Sequence, residues 1–306
     1  MLNYRSTVIT RLLKDKTLYF MLIPFVLWYL VFLYKPMYGL LIAFQDYSPY
    51  KGMSGSSWVG FDNFMTFFQS EYFGRTIRNT ILISLYNLLF AFPAPIVLAL
   101  LLNEVRHLFF KKTIQTLTYL PHFISVVVVA GIVTNFLAPS SGIVNLLIEK
   151  LGGEKIYFLV NPDYFRTILI ATMDIWKEIG FGAIIYIAAL AGVNPHLYEA
   201  AVMDGAGKWR QLWSITLPSI LPTIVIMLIL RIGNFMEVGY EAIILLYQPA
   251  TYETADVIST YVYRAGLQQG RYDIATAVGL FNSLIGLFLV VSANKLSKKL
   301  TENGLW

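Results

Sequence analysis

The stretch HLYEAAVMDGAGKWRQLWSITLPSILP, residues 196–222, decides how the rest of the chain is interpreted. It is a long polar interruption in an otherwise apolar sequence. Its pattern predicts a short helix, 196–203, a tight turn at Gly205, and a second amphipathic segment that ends at Pro218 and Pro222. Two helices placed in this way between two hydrophobic runs expose one face to a partner outside the membrane.

Composition places the chain in a membrane. Of its 306 residues, 57% are hydrophobic and 13% are charged, whereas soluble domains have about 45–50% apolar and about 25% charged residues. The sequence has no cysteine, which excludes a disulfide framework and a thiolate metal site. The three histidines, His107, His122 and His196, are too widely spaced to suggest a ligand cluster, so we expect no metal site.

Six apolar windows are long enough to cross a membrane as helices. Lipid offers no partner to unpaired backbone groups, and the alternation of a β-barrel is missing from the sequence. We therefore predict an all-α integral membrane protein with a single transmembrane domain. Proline is expected to kink or end the first span at Pro36 and to bend the second at Pro93 and Pro95. The predicted spans are 18–44, 80–102, 119–137, 168–191, 220–238 and 275–293.

The distribution of Lys and Arg orients these spans. With an uncleaved first span and the N-terminus inside, the cytoplasmic segments hold 12 of the 23 basic residues and the outer segments hold 8. This excess follows the positive-inside rule, and six spans then place both termini in the cytoplasm. The formal charge of +5 is thus a feature of topology; no basic face or stacking platform accompanies it that would favour nucleic-acid binding.

Two predicted outer segments are longer than a simple connection requires. The segment 45–75 is rich in aromatic residues, which we interpret as a belt at the membrane interface. The segment 238–273 carries Val257, Tyr261 and Arg264 at helical spacing. Either segment could bind an external partner. The aromatic residues of the first are Trp58, Phe61, Phe64, Phe67 and Phe68.

No motif of an enzyme is found. The sequence DGAGKW (204–209) resembles part of a nucleotide-binding loop, but Val202 stands where that loop has its first glycine, and Trp209 where it has Ser or Thr. The G-x-S-x-G and H-E-x-x-H patterns do not occur either. We predict that the chain is not an enzyme and does not hydrolyse ATP.

Ionisable residues inside the predicted spans are costly and need a partner or a function. Asp174 and Lys177 are three residues apart in span four, where they could neutralise each other on one helix face. Three interpretations stay open: ion pairs that hold spans four and five together, a polar path for a substrate, and placement near the water interface. Aromatic neighbours could stack on sugars but more often serve packing. The candidate path residues are Asp174, Trp176, Lys177, Glu178, Arg231, Asn234, Phe235 and Glu237.

The polar stretch carries a family resemblance. Glu199-Ala200-Ala201, then Gly205, then Ile215-x-Leu217-Pro218 match the EAA signature of permeases in binding-protein-dependent ABC importers, and the chain resembles their oligosaccharide-uptake branch of the LplB type. One departure is Ser259, where the family commonly has Asp. The other phrases that carry the resemblance are KPMYGLLIAFQDY (35–47), SWVGFDNF (57–64), FPAPIVLALLLNE (92–104), TYLPHFIS (118–125), DIWKEIGFG (174–182), DVISTYVYRAGLQQG (256–270) and GLW (304–306).

The resemblance implies a type I ABC importer permease fold and import of oligosaccharides across a bacterial cell membrane. It also implies a second homologous permease, two cytoplasmic ATPase subunits that bind ATP and Mg²⁺, and an extracellular or periplasmic substrate-binding protein. The chain itself would carry no cofactor. Within 196–214, the cytoplasmic coupling helices, the resemblance assigns contact with the ATPase to Glu199, Ala200, Ala201, Asp204 and Gly205.

Two other functions stay open. An ion-coupled secondary transporter would use Asp174 and Glu178 as cation sites and would show internal repeats, of which the sequence gives no convincing sign. An ABC permease for peptides or metals would share the EAA stretch but not the flanking phrases.

Overall fold

Helices form nearly all of the regular structure in the part of the chain that the computed structural model describes, residues 15–301 and 304–305. Three of the basic residues counted above on the cytoplasmic side, Arg5, Arg11 and Lys14, lie outside these residues, as does Trp306 of the GLW phrase. Four helices are long and apolar enough to cross a membrane, and two bent helix pairs raise the number to six if each is one span. The predicted all-α membrane fold is therefore confirmed.

The helices follow one another with short connections. In the segment after the first long helix, two antiparallel strands of two residues each, β1 (Gln45–Asp46) and β2 (Ser57–Trp58), pair with each other. In chain order the helices are α1 (Lys16–Phe44), α2 (Gly52–Gly55), α3 (Asp62–Phe68), α4 (Tyr72–Glu104), α5 (Leu108–Phe123), α6 (Val126–Phe136), α7 (Ile143–Lys150), α8 (Pro162–Leu169, continued by a π-helical segment, Ile170–Trp176), α9 (Ile179–Ala191), α10 (Pro195–Met203), α11 (Lys208–Gly233), α12 (Tyr240–Leu246), α13 (Tyr252–Ala255), α14 (Ile258–Tyr263, continued by a π-helical segment, Arg264–Gln268) and α15 (Tyr272–Thr301).

Helix α1 makes little contact with the rest of the described chain. No residue of its most apolar 18-residue window is buried. Only its last turns reach the bundle, where Ala43 is fully buried and packs beside Phe64 and Ala277. A long apolar helix is thus left almost bare.

Prolines inside the long helices do not end them. In α1 a π-helical turn, Leu30–Tyr34, precedes Pro36, and the helix continues to Phe44. In α4 a π-helical turn, Asn87–Ala91, comes shortly before Pro93 within one continuous helix. A π-helical turn re-forms the hydrogen-bond ladder around a residue that lacks an N–H. Of the two outcomes expected at Pro36, an end of the helix is therefore wrong.

Helix α11 likewise runs through its prolines. The turn Leu212–Thr216 is π-helical, and the helix is continuous from Lys208 to Gly233. The expected end of the amphipathic segment at Pro218 is therefore wrong, because this segment is the first part of α11. At the other end, the last five residues of the predicted span 220–238 leave the helix.

The predicted span 119–137 is not one helix. Helices α5 and α6 meet there at 103°, with Ile124 in an extended conformation between them. Ser125 begins α6, since its hydroxyl accepts the N–H of Val128 at 3.3 Å. Hydropathy reports how apolar a window is and not whether its backbone is continuous, so the expectation of an unbroken helix was wrong.

The predicted span 168–191 is also broken, at Lys177 and Glu178, between the π-helical segment after α8 and the start of α9. Helix α9 then passes very close to α5. A Cβ atom built on Gly180 would lie 2.1 Å from the carbonyl oxygen of Thr118. Only glycine allows the two backbones to approach so closely.

A buried polar stripe on α4 binds the irregular segments of the neighbouring helices. Asn79, fully buried, donates to the carbonyl oxygens of Glu253 and Asp256, both at 2.9 Å. The hydroxyl of Thr80 accepts the N–H of Ile258 at 3.1 Å. Further along, the hydroxyl of Ser84 donates to a carbonyl oxygen just beyond the end of α11. Backbone groups that helices leave unpaired are satisfied here by side chains.

A buried carboxylate, Asp256, ties α4 to α14. Its side chain is fully buried and accepts two hydrogen bonds from Arg264, at 2.6 and 2.8 Å, and one from Arg75 at 2.8 Å. The hydroxyl of Thr260 donates to it at 2.8 Å. Burial disfavours the charge of Arg264, yet the hydrogen bonds and charge of Asp256 outweigh burial and raise the pKa of the guanidinium.

The aromatic residues of the segment 45–75 divide into two groups. Phe67, 1% exposed, packs in a core cluster against Tyr261 and Phe281, and Phe64 is also buried. For these two the interpretation as an interfacial belt is wrong, because tertiary packing covers them. Trp58, Phe61 and Phe68 are exposed, as the belt requires.

Replacing Asp256 by Ala is expected to lower the free energy of unfolding by about 3–5 kcal/mol, because two arginines would lose their carboxylate partner. Thermal unfolding of the protein in detergent would measure this. The control is Glu154→Ala, which removes an exposed carboxylate and should change stability by less than about 0.5 kcal/mol. Equal unfolding temperatures for the two variants would contradict the role of Asp256.

Candidate functional site

The ends of helix α10 are specified by local sequence. The side chain of Asn194 accepts the N–H of His196 at 3.0 Å, and Pro195 occupies the first helical position. At the other end Gly205 adopts φ +72°, and the N–H of Ala206 bonds the carbonyl oxygen of Ala201 at 2.8 Å. This is the left-handed glycine cap that commonly ends helices.

Side chains fix α10 against the first turns of α11. The buried amide of Gln211 donates to the carbonyl oxygen of Ala206 at 2.9 Å, which holds the glycine turn. The hydroxyls of Tyr198 and Thr216 lie 3.0 Å apart. These hydrogen bonds join α10 to the first turns of α11.

The exposed side of α10 contains most of the predicted coupling residues. Glu199, Ala200, Asp204 and Gly205 are exposed, and Ala201 is half-buried. Glu199 pairs with His196 at 2.9 Å on this open surface. Large apolar side chains stand beside them, with Val202 60% and Met203 87% exposed. Apolar atoms so open to solvent at a helix end are typical of a surface that binds another protein.

A cavity of about 580 Å³ adjoins this surface. Lys208 and Glu104, 3.0 Å apart, form an ion pair that joins the start of α11 to the end of α4 beside it. The cavity is lined by Asn103, Glu104, Arg106, Tyr198, Glu199, Val202, Met203, Lys208 and Gln211.

A second cavity, of about 300 Å³, lies where α4 has its π-helical turn and the α8–α9 helix is broken. Four of the predicted path residues line it: Asp174 and Glu178 from the broken helix, and Arg231 and Asn234 from the end of α11. We call it the central cavity. Its other lining residues are Ala91, Phe92, Pro95, Phe181, Gly182, Tyr186, Met227 and Leu230.

Asp174 has partners on two other helices. Asn87 of α4 hydrogen-bonds its side chain, and Arg231 of α11 lies close enough to act on it electrostatically. The pairing with Lys177 expected from the three-residue spacing is replaced by another. The Lys177 ammonium bonds Glu178 at 2.6 Å, because the π-helical segment and the break change the register that regular spacing assumes.

The remaining candidate path residues lie away from the central cavity. Phe235 packs against the cluster that contains Phe67, and Trp176 is 45% exposed without lining the cavity. Glu237 lines a neighbouring cavity of about 300 Å³ between α11 and α15. Lys177 is buried behind Glu178. Asn87 was not singled out from the sequence, because a lone amide in an apolar window gives no signal.

Comparisons with known proteins agree with the family resemblance carried by the EAA stretch. The family model described as "Binding-protein-dependent transport system inner membrane component" matches residues 72–302. The chain belongs to this family. We refer to it below as the permease.

Curated relatives extend the match over nearly the whole permease. Protein LplB of Bacillus subtilis (strain 168) is 50% identical over 293 residues, covering 96% of this chain and 92% of the relative. The polygalacturonan/rhamnogalacturonan transport system permease protein YteP of the same organism is 47% identical over 302 residues, covering 99% and 94%. The ion-coupled and peptide alternatives find no support among these relatives.

Solved structures share the fold of the permease. One is a bacterial ABC transporter involved in the import of the acidic polysaccharide alginate, with a TM-score of 0.90 and 52% identity, covering 96% of this chain and 99% of that one. A second is a bacterial alginate ABC transporter in complex with an alginate pentasaccharide-bound periplasmic protein, with a TM-score of 0.90, 52% identity and coverage of 97% and 99%. The chain is thus a permease subunit of an ABC importer.

Among the described residues of the permease, no group of three or more His, Cys, Asp or Glu side chains could hold a metal ion.

The charges of Asp174 and Arg231, which both line the central cavity, are expected to be energetically coupled. Arg231→Leu should destabilise the permease, since it removes the positive charge that acts on the Asp174 carboxylate at the cavity. Adding Asp174→Asn should recover part of the loss, with a coupling energy of about 0.5–3 kcal/mol. Thermal unfolding of the wild type, both single variants and the double variant would measure it. Strictly additive effects would contradict an interaction between the two charges.

Proposed function

We propose that the permease imports oligosaccharides, that its central cavity is part of the translocation path, and that α10 is the element an ATPase moves. One observation carries the proposal. Helix α10 stands between α9 and α11 in the chain, and these two helices bear or adjoin four residues of the cavity: Asp174, Glu178, Arg231 and Asn234. A force on α10 therefore reaches two sides of the cavity.

The chemistry of the central cavity supports a sugar substrate. Carboxylates, the Arg231 guanidinium and the Asn234 amide offer acceptors and donors for hydroxyl groups, and Phe181 and Tyr186 offer apolar faces for the ring carbons. YteP is named for transport of polygalacturonan and rhamnogalacturonan, and the solved relative is described as an alginate importer. Both names support an oligosaccharide as substrate.

The surfaces of the permease support three kinds of partner. The exposed face of α10, with Glu199 to Gly205, is proposed to bind a cytoplasmic ATPase subunit, one of two that hold ATP and Mg²⁺, so that the permease itself is not an enzyme. The bare apolar helix α1 supports a second, homologous permease that covers it. A substrate-binding protein would deliver the sugar, as the periplasmic protein in the solved complex suggests.

The same assignment gives the topology. We propose a single transmembrane domain in a bacterial cell membrane, with the α10 end and both termini in the cytoplasm and α13 and α14 on the outer side. We assign the six spans to α1, α4, the α5–α6 pair, α8–α9, α11 and α15. Helix α10, which is bent by 68° from α9, then lies outside the membrane. The outer-side segments hold the Asp256 ion pairs.

In this mechanism ATP binding closes the two ATPase subunits and displaces α10 along the membrane plane. Helix α11 follows, because the Gln211 and Tyr198 hydrogen bonds and the glycine turn join it to α10. Helix α9 follows because it directly precedes α10 in the chain. The cavity then opens to the other side of the membrane. Binding energy between sugar and cavity favours the state with the better contacts.

Vesicle uptake tests the proposed function. Membrane vesicles that contain the permease, its partner permease and the ATPase should take up oligosaccharide only with ATP inside and binding protein outside. Uptake that is driven by an ion gradient without any ATPase subunit would contradict the proposal.

Gly205→Val is expected to abolish uptake and to weaken association with the ATPase, while membrane insertion stays normal. A Cβ atom at Gly205 would meet nothing within 4 Å, so the substitution causes no steric clash. Its cost is conformational, about 1–2 kcal/mol for a branched residue at positive φ. Co-purification with the ATPase and vesicle uptake would measure it.

Gly207→Val is the matched control, because Gly207 has φ −69° and equally open space around it. It should retain association with the ATPase. If both valine variants behave alike, the left-handed turn is not what coupling requires.

A further inference from the structure

Two helix breaks of the permease lie side by side. His122 is in the last turn of α5, just before the 103° bend to α6. Glu178 lies in the break between the π-helical segment after α8 and α9. The two side chains are in contact, with His122 Nδ1 2.7 Å from Glu178 Oε2. This contact joins the two breaks directly.

Both oxygens of the Glu178 carboxylate are engaged. The Lys177 ammonium lies 2.6 Å from Oε1, and the His122 ring nitrogen 2.7 Å from Oε2. Lys177 also donates to the carbonyl oxygen of His122 at 3.3 Å, which ties the ammonium to the α5 side of the joint. With one partner on each oxygen, the carboxylate has a fixed plane.

The Glu178 carboxylate nevertheless stays available to a ligand. Its side chain is 41% exposed, and it lines the central cavity. A carboxylate has about four acceptor positions, of which the two partners use two. The remaining lone pairs can accept hydrogen bonds from sugar hydroxyls.

The ring of His122 fixes a second lining group. It stacks on Phe181 with 3.8 Å between ring centroids and 2° between ring planes. Phe181 is 42% exposed and lines the central cavity one turn after Glu178. His122 itself is not among the lining residues, so it can act on a substrate only through these two side chains.

We propose that His122 is a positioning residue for the substrate: it fixes the Glu178 carboxylate and the Phe181 ring at the central cavity and so determines which oligosaccharides the permease accepts. The inference rests on the proposed function and adds a determinant of specificity to it. A hydroxyl-binding acceptor beside an apolar ring distinguishes sugars by where their hydroxyls point, since an unmatched polar group in a cavity is costly.

Two substitutions separate the contributions of His122. His122→Asn retains a donor near the position of Nδ1 and removes the stacked ring. His122→Phe retains a stacked ring and removes the donor. Uptake is measured in vesicles with saturating binding protein, with alginate pentasaccharide and the neutral maltopentaose supplied together. We expect each variant to change the uptake ratio of the two sugars by about five-fold, the effect of one hydrogen bond or one stacking contact.

The matched control is His107→Asn. The ring of His107 accepts the N–H of Phe110 and begins α5, at the opposite end of that helix from His122. Asparagine is a good replacement at the start of a helix. This variant should leave the uptake ratio unchanged.

The outcomes are distinguishable. An unchanged ratio in both His122 variants, with normal wild-type uptake, would contradict the inference and leave the proposed function in place. Loss of assembly in both variants would assign His122 to the joint between the helices alone and would also overturn it. If wild-type vesicles take up no oligosaccharide with ATP and binding protein, the proposed function fails, and the inference fails with it.

Discussion

Backbone groups that no helix pairs must find other partners away from water, and this constraint governs how the permease holds its irregular segments. Several of these partners are side chains from α4, which is itself continuous over 33 residues. Asn79 and Thr80 bind the backbone around α13 and α14, and Ser84 binds the end of α11. Helix α4 is therefore the reference against which the irregular segments are placed, and removing its polar stripe would leave several carbonyl and amide groups without partners.

Irregular segments also surround the central cavity, the place proposed for a polar substrate. The central cavity lies beside the π-helical turn of α4, the break after Trp176 and the end of α11. Non-helical backbone at membrane depth is tolerated where it is buried in protein or lines a cavity, and here it does both. The broken helix continues through α9 into α10, and α11 follows α10 in the chain. The segments around the cavity are therefore connected to the exposed surface of α10.

The membrane helices and the glycine turn could be predicted from the sequence, and the physical basis of these predictions also explains what they missed. Six apolar windows follow from transfer free energies, and the turn at Gly205 follows from glycine's access to positive φ. Transfer free energies do not register backbone continuity, so the breaks at Ile124 and Lys177 were missed. Regular spacing paired Asp174 with Lys177, whereas the π-helical segment turned Asp174 toward α4 and α11. Burial of Phe67 depends on residues more than 190 positions away, such as Tyr261, which no local pattern contains.

The two locally encoded ends of α10 have a consequence for assembly. Because Asn194 and Pro195 begin the helix and the glycine turn ends it within the permease's own sequence, the proposed recognition element does not depend on a partner for its ends. Association then loses less conformational entropy than it would if a flexible loop had to order on contact. If α10 is the surface that an ATPase binds, as proposed, little of the interaction energy is then spent on folding it.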